Sequence, residues 1–576
     1  INNRSLDLVL CSQNISAKLN RSDIALVQED VHHPAIVFDI SYQTYIHVNF
    51  KNAASRTYNF KAADFNKLYN LILNTNWEPV LIHDEVNMAC ETFYNLLFSH
   101  LDCTVPLCFP KKSSFPVWVS SKTKRLIRIK KHYLKMSRRH RVDIFVGKFK
   151  YYRKLVKTSL NNDYDAYIAS ISHCIEEDPG KLWSFIHKLK GQTRIPGCMI
   201  GVNNELLNTP ADINNGFATQ FESVYQDDLG NNCEFDKYCV NDTCIIKNFD
   251  EYEILEAVGR LKDSCVMGPD SIPAFLVRDC RNVLCQPLLH IYNLIIRHEV
   301  FPDCWKQSRI TPVFKSGNKN EIKNYRPISL ICNFAKVFEI LIYKSIYPHV
   351  SHQLSPKQHG FLKGKSTVTN LCSFTTFVSC VLENRMQVDA VYCDFSKAFD
   401  MVQHSLLLQK LHRFGLSDAI IQILRSYLTG RVNYVEYQGI KSRLFQSKSG
   451  VPQGSVLGPL LFLLFIDDIM KCFLSEYLFY ADDSKLYHVI KTVSDCETLQ
   501  SDLQRLFQWC TLNRLQLNKD KCTVMTYTRK NTPIINDYNI DGQILKRCTT
   551  FKDLGITFDS KLTFNAHIEI LCLQCY

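Results

Sequence analysis

The sequence predicts an α+β protein, on three observations. Helical and strand patterns interleave densely from Glu251 onward, residues from about 50 to 250 are mostly helical in pattern, and two short apolar strands stand before residue 50. No apolar run approaches the roughly 18 residues of a membrane span. The longest, Leu460 to Ile466, fits a buried core helix. With 46% hydrophobic and 22% charged residues over 576 positions, the chain can bury several cores. It has no internal repeat and no low-complexity tract.

In chain order, the first strand is Leu6 to Leu10, with Asp7 inside it, and the second is Ala35 to Ile40. Between Lys122 and Lys157 there are fifteen Lys or Arg against one acid, Asp143, with Tyr133, Phe145, Phe149, Tyr151 and Tyr152 interleaved. No proline interrupts this run, so it predicts a helix with cationic faces and an apolar stripe, suited to phosphate-backbone contact. Gln226 to Asn232 is a loop by composition. Ile254, Val258 and Leu261 mark an amphipathic helix, ended by Gly268-Pro269. Ser417-Asp418 starts another helix, with Ile420, Ile423, Leu424, Tyr427 and Leu428 on one face and Gly430 as its stop. Val432 to Tyr437 follows as a strand.

Lys and Arg exceed Asp and Glu by 68 to 56, a net charge of +12 that favours a polyanionic partner. The 24 cysteines show no repeated spacing, which suits a reduced intracellular compartment better than a disulfide scaffold. No signal peptide is visible, and the first residue is Ile1 rather than Met, so a longer natural N-terminus is expected.

Three acids stand out by position. A β-rich run from Val388 ends at Asp394, at the tip of a strand. Two β-prone segments, Tyr477 to Tyr480 and Ser484 to Tyr487, flank Ala481-Asp482-Asp483 as a hairpin tip. Adjacent acids repel, and a divalent cation is the simplest compensation. Carboxylates gathered by neighbouring strands could hold two Mg²⁺, with Mn²⁺ as a substitute, for in-line displacement at phosphorus. An Asp-Asp turn alone also fits a solvated loop.

The surrounding residues carry a resemblance. In order they are Cys304-Trp305-Lys306 with Pro312 and Lys315; Asn324-Tyr325-Arg326-Pro327-Ile328-Ser329-Leu330; Gln358-His359-Gly360-Phe361 with Ser366-Thr367; Asp394-Phe395-Ser396-Lys397-Ala398-Phe399-Asp400; Gly450 through Pro459; Tyr480-Ala481-Asp482-Asp483; Asn518 with Lys521; and Leu554-Gly555. The stretch resembles the reverse transcriptases of non-LTR retrotransposons, the jockey-like long interspersed elements. The resemblance implies a right-hand polymerase with fingers and palm over 251–555 and a truncated thumb over 556–576. Its reaction would be RNA-directed addition of deoxynucleoside triphosphates to a DNA primer at the target site.

The same resemblance implies roles. Asp394, Asp482 and Asp483 would be the metal ligands, with the Phe395 carbonyl as a minor contact. Arg326 and Lys315 would clamp the triphosphate, although Lys315 also fits a plain surface lysine. Phe399 would be a steric gate against the ribose 2′-hydroxyl, or ordinary core packing. Gln453 and Gly454 would approach template and nucleotide closely. Lys521 would either protonate the leaving pyrophosphate or simply contact phosphate. Asp467-Asp468 stands where the family usually has Asn-Asp, and its apolar upstream run assigns it a structural role. The lone Cys572-x-x-Cys575 lacks the second pair that a zinc site would need.

Residues 3–10 and 30–36 resemble the last two motifs of the endonuclease preceding such polymerases, a member of the exonuclease-endonuclease-phosphatase family. His33 would then contact the scissile phosphate, Asp7 would orient its imidazole and Asp30 would lie near a metal. Earlier motifs are absent, so 1–48 is expected to be a remnant without nuclease activity. Leu182-Trp183-Ser184-Phe185 and Phe217-Ala218-Thr219-Gln220-Phe221 resemble the helical region before the fingers, and Gly268 to Pro273 resembles their start. Residues 49–250 are expected to form a mostly helical basic linker that binds the element's RNA. The competing reading is a catalytically silent nucleic-acid-binding fragment of a decayed element. Its missing ends favour it, and the undamaged Asp394, Asp482, Asp483, Gln453 and Gly454 oppose it. An intron-maturase lineage is disfavoured by the endonuclease remnant. Nuclear localisation is implied by the family's way of life, and no membrane partner is expected, since no apolar run is long enough to span one.

Overall fold

The computed structural model describes residues 16–21, 36–41, 57–108, 115–116, 118–140, 142–174, 195–227 and 243–575. Among these, no helix is long and apolar enough to cross a membrane. Two five-stranded sheets organise the chain from Gln307 onward. In the first, Gln307–Phe314 lies between the antiparallel Tyr325–Leu330 and the parallel Val432–Tyr437, with the short strands Ile440–Lys441 and Phe445–Gln446 on the latter. The second has the order Glu476–Tyr480, Asp483–Ile490, Gln387–Cys393, Thr523–Thr528, Lys546–Cys548. All its pairings are antiparallel except the last.

Gln387–Cys393 is buried along its whole length because both faces of the second sheet are covered. The two-residue period sends Val391 and Cys393 into the main core, against the helix Val493–Leu512. Val388, Ala390 and Tyr392 meet Phe374 of the helix Thr367–Glu383 on the other face. Asp389, fully buried in this strand, accepts from the Tyr538 hydroxyl at 2.8 Å and the Gln387 amide at 3.0 Å, so its polarity is satisfied. The first sheet packs Ile310, Tyr325, Val435 and Phe445 against Ile213, Phe217 and Phe221 of the helix Pro210–Glu222.

Several local expectations meet the structure directly. Val432–Tyr437 is a strand, and Ser417 caps the helix Asp418–Leu428. Leu457–Ile466 is a helix buried nearly throughout. The helix beginning at Glu251 starts with an Asp250–Glu253 capping box but ends at Gly259, nine residues short of Gly268. Gly259 is a poor helix former, and Asp263-Ser264 favours turn chemistry. The basic segment is two helices rather than one, Ser121–His140 and Asp143–Cys174. Consecutive cations crowd the end of the first, while Asp143 suits the first turn of the second.

Ile36–Ser41 pairs with Ser16–Arg21, while Leu6 to Leu10 and the residues Asp7, Asp30 and His33 lie outside the described residues. So does Leu182 to Phe185. Residues 68–105 bury into the same core as the segment after 250. The Phe93 and Phe334 rings meet edge-on at 5.1 Å, and the Trp305 indole donates to the Tyr94 hydroxyl at 3.1 Å. The helical pattern before 250 does not show this shared core, because amphipathic helices do not reveal which core they join.

Candidate active site

Asp394 follows the last residue of the central strand. Its carbonyl accepts from the Asn518 amide at 2.8 Å, which ties it to the loop after the helix Val493–Leu512. From that loop the Lys521 ammonium reaches Asp394 Oδ2 at 2.9 Å. Phe395 is buried and bridges to Leu517. Asp482 and Asp483 sit where Glu476–Tyr480 turns into Asp483–Ile490, with Tyr480 paired to Asp483. Ser484 pairs with Cys393, so the register carries Asp483 to the same end of the sheet as Asp394. Residues some ninety positions apart in the chain become neighbours by strand pairing alone.

The turn is held from outside. Ala481 has φ +56, a left-handed conformation that costs a non-glycine residue energy. Gln358, 1% exposed, stabilises it. Its Oε1 accepts from the Ala481 amide at 2.9 Å and the Gly360 amide at 2.8 Å, and its Nε2 lies 3.5 Å from the Ala481 carbonyl. Gly360 passes so close that an added Cβ would lie 2.3 Å from the Ala481 nitrogen. The block Gln358 to Phe361 was visible in the sequence, but its partner is 123 residues away, so no local signal showed this role. Gln358→Leu would leave two buried amide donors unpaired. The expected destabilisation is about 2–4 kcal/mol, measurable by denaturant unfolding.

The electrostatics follow from crowding. Burial, then the charge of Asp394, raises the Asp482 carboxyl above its ordinary range, while Lys315 and Arg326 oppose the rise. The Asp483 side chain reaches solvent, yet the surrounding protein and then the charges of Asp482, Asp394 and Asp553 push it up to about 6. Asp553 comes from the hairpin of Thr550–Asp553 and Ile556–Asp559, and pairs with the buried Lys485. Sequence reasoning missed this ion pair, since neither residue stands in a recognisable pattern. A cavity of about 310 Å³ opens beside the acids, lined by Asp394, Asp483, Lys521, Tyr392, Leu478 and Phe551.

The expected three-carboxylate ligand set is not assembled at the level of side chains. Among the described residues, no three His, Cys, Asp or Glu side chains are gathered so as to hold a metal ion. Lys521 instead holds Asp394 Oδ2 at 2.9 Å. The donor chemistry nevertheless fits a hard divalent cation, being carboxylate oxygens whose ionised forms Lys315 and Arg326 do not fully offset, since Asp482 and Asp483 remain raised.

Lys315 and Arg326 are both exposed and stand near the joined ends of Gln307–Phe314 and Tyr325–Leu330, where Val313 pairs with Arg326. Their fields reach Asp482, so the first sheet presents cations toward the acids of the second. The Gln453 carbonyl accepts from the Ser329 amide at 2.7 Å, which docks its loop on the Arg326 strand. The Gln453 side chain donates to Asp400 at 2.8 Å rather than standing free. Gly454 has φ +110, and an added Cβ would lie 2.8 Å from the Ser329 carbonyl, so glycine is required there. Phe399 is half-buried, stacked on Phe462 with centroids 4.2 Å apart and touched edge-on by Phe361.

Asp467 and Asp468 do not join the site. Asp467 accepts from the Ser355 amide, and Asp468 pairs with Lys410 at 2.8 Å and accepts from the Trp509 indole at 3.0 Å, which is a structural role. Cys572 is exposed, and the Cys575 side chain lies outside the described part.

Residues 315–558 match the family model for reverse transcriptase (RNA-dependent DNA polymerase). The chain is 28% identical over 448 residues to a probable RNA-directed DNA polymerase from transposon BS of Drosophila melanogaster, covering 74% of this chain and 49% of that protein. It is 30% identical over 337 residues to the RNA-directed DNA polymerase from mobile element jockey of Drosophila funebris, covering 55% and 36%. A probable RNA-directed DNA polymerase from transposon X-element of Drosophila melanogaster is 29% identical over 332 residues, covering 56% and 36%. The chain thus spans half or less of the length of these relatives. Among solved structures, apo telomerase from Candida tropicalis truncated from its C-terminal domain aligns with 45% of this chain and 54% of its own, at 13% identity and a TM-score of 0.32, too slight a likeness to bear on the fold. The chain therefore carries, over residues 315–558, a reverse transcriptase domain homologous to those of the Drosophila mobile elements.

Proposed function

We propose that the protein is an RNA-directed DNA polymerase of a non-LTR retrotransposon, extending a DNA primer on an RNA template at its target site. The observation that carries this reading is the meeting of Asp394 with Asp482-Asp483 at one end of the second sheet, facing Lys315 and Arg326 of the first. Asp394 and Asp482, with Asp483 beside them, would hold Mg²⁺ or Mn²⁺. Bound ions would supply activation of the primer 3′-hydroxyl and neutralisation of the departing pyrophosphate.

The chain's own groups do the rest. Lys315 and Arg326 bind the triphosphate oxygens, and the Arg fork suits that geometry. Lys521 holds Asp394 until substrate arrives and can then turn to phosphate. Gln453 supports the loop against Asp400, and Gly454 lets that loop close onto the Ser329 carbonyl of the Arg326 strand. Primer extension on an RNA template with deoxynucleotides and Mg²⁺ tests the reading; absence of extension by the wild-type chain, with Asp482→Ala no different, would reject it.

The Phe399 ring rests on Phe462, and its carbonyl accepts from the Val451 amide at 2.8 Å, which ties its backbone to this loop. As a gate it should discriminate by sugar. Phe399→Val is expected to raise ribonucleotide relative to deoxynucleotide incorporation by roughly 10- to 100-fold. A role in packing alone would lower stability and leave that ratio unchanged.

A further inference from the structure

The densest positive charge in the chain lies outside the site described above, on the two helices Ser121–His140 and Asp143–Cys174. They pack as an antiparallel hairpin. Trp118 meets Tyr164 edge-on at 5.3 Å, the Thr123 and Ser159 hydroxyls are 2.5 Å apart, and Tyr133 stacks on Tyr152 at 5.4 Å. Ile127 and Val156 are buried along the same seam. That seam uses one side of each helix.

The cations take the other side. On the first helix Lys124, Arg128, Lys131, Lys135 and Arg138 follow alternating spacings of four and three, which keeps them on one face over roughly 21 Å of axis. On the second, Lys150, Arg153, Lys154 and Lys157, at spacings of three, one and three, also share one face. All are exposed except the half-buried Lys124, and none forms an ion pair with another described residue. Like charges at these spacings destabilise a helix, and a solvated face normally interleaves acids to offset them. Here the acid between Lys122 and Lys157 is Asp143 alone, at the turn. An external polyanion supplies the missing charge.

Tyr151 says what kind. It is 60% exposed and lies between Lys148 and Lys154 in a row of three-residue steps. An exposed ring among cations offers a platform for an unpaired base, which a duplex does not present. We propose that this hairpin is a second nucleic-acid surface, gripping the backbone of single-stranded RNA without regard to sequence, with a base stacked on Tyr151. The choice of RNA rests on the polymerase reading, in which the template is an RNA strand; the choice of a single strand rests on Tyr151.

The test uses the whole chain carrying Asp482→Asn, so that polymerisation is not a readout and failure of the polymerase reading stays distinguishable. Affinity for an unstructured fluorescent RNA and for a DNA duplex is followed by anisotropy as KCl rises. Replacing the five cations of the first helix with Gln should reduce the salt slope for RNA by about 3–4, and replacing the four of the second by about 3. Tyr151→Ala should weaken RNA binding roughly tenfold, with little change in slope. Duplex binding should change less in every variant. An RNA slope unchanged in both charge variants, with native circular dichroism, would overturn the proposal, as would a loss as large on duplex DNA. If one charge set unfolds its helix, the other set and Tyr151→Ala decide.

Discussion

Asp482→Asn is expected to reduce RNA-templated primer extension by about a thousandfold or more while making the protein more stable. The two effects share one cause. Burial and the neighbouring charge of Asp394 raise the Asp482 carboxyl, so near neutral pH its ionised form is less favourable in the folded chain than in the unfolded one. Stability from this group is therefore present below its ordinary range and lost as pH rises from there through the raised folded one, and a neutral isostere removes the loss. The gain should be about 1 kcal/mol, which in a chain of this size is about 1 °C in melting temperature. Scanning calorimetry at pH 7 beside single-turnover extension gives both numbers. A variant that lost activity and stability together would mean that the carboxylate supports the turn rather than the chemistry.

Lys485→Met should have the largest effect on folding. Its ammonium pairs with Asp553, and the two side chains are only 4% and 9% exposed. It also lies 4.7 Å from the Phe374 ring centroid, in the second core. Removing one partner leaves a buried carboxylate uncompensated, which costs about 3–5 kcal/mol. Lys485→Met combined with Asp553→Leu should recover most of that loss, because two apolar groups of similar size need no charge partner. Denaturant unfolding of the two single variants and the pair measures the coupling. An additive pair would show that the ion pair is solvated. The consequence reaches the active site, since the Asp553 charge is among the causes of the raised Asp483 carboxyl.

How much of this was legible beforehand depends on the range of the interaction that creates each feature. The strand Val432–Tyr437 and the helix starting after Ser417 were readable because alternation, capping and helical spacing act within a few residues. The helix after Glu251 was overextended because burial of Leu261 does not require helix at Leu261. Absence of proline in the basic run is only permissive, so it does not show that the run divides into Ser121–His140 and Asp143–Cys174, and the pairing of Tyr133 with Tyr152 is a tertiary contact.

From residue order alone came the chemistry: which carboxylates, which cations, which glycine-containing loop, and the order of blocks that places them in a reverse transcriptase domain. These are properties of side chains and of ordered, local spacing. Three-dimensional packing alone decided that Gln358 clamps the Ala481 turn, that Lys521 rests on Asp394, that Gln453 is committed to Asp400, and that Lys485 and Asp553 neutralise each other under the hairpin. Each joins residues that only strand register and core packing bring within hydrogen-bonding distance, and such contacts leave no periodic trace along the chain.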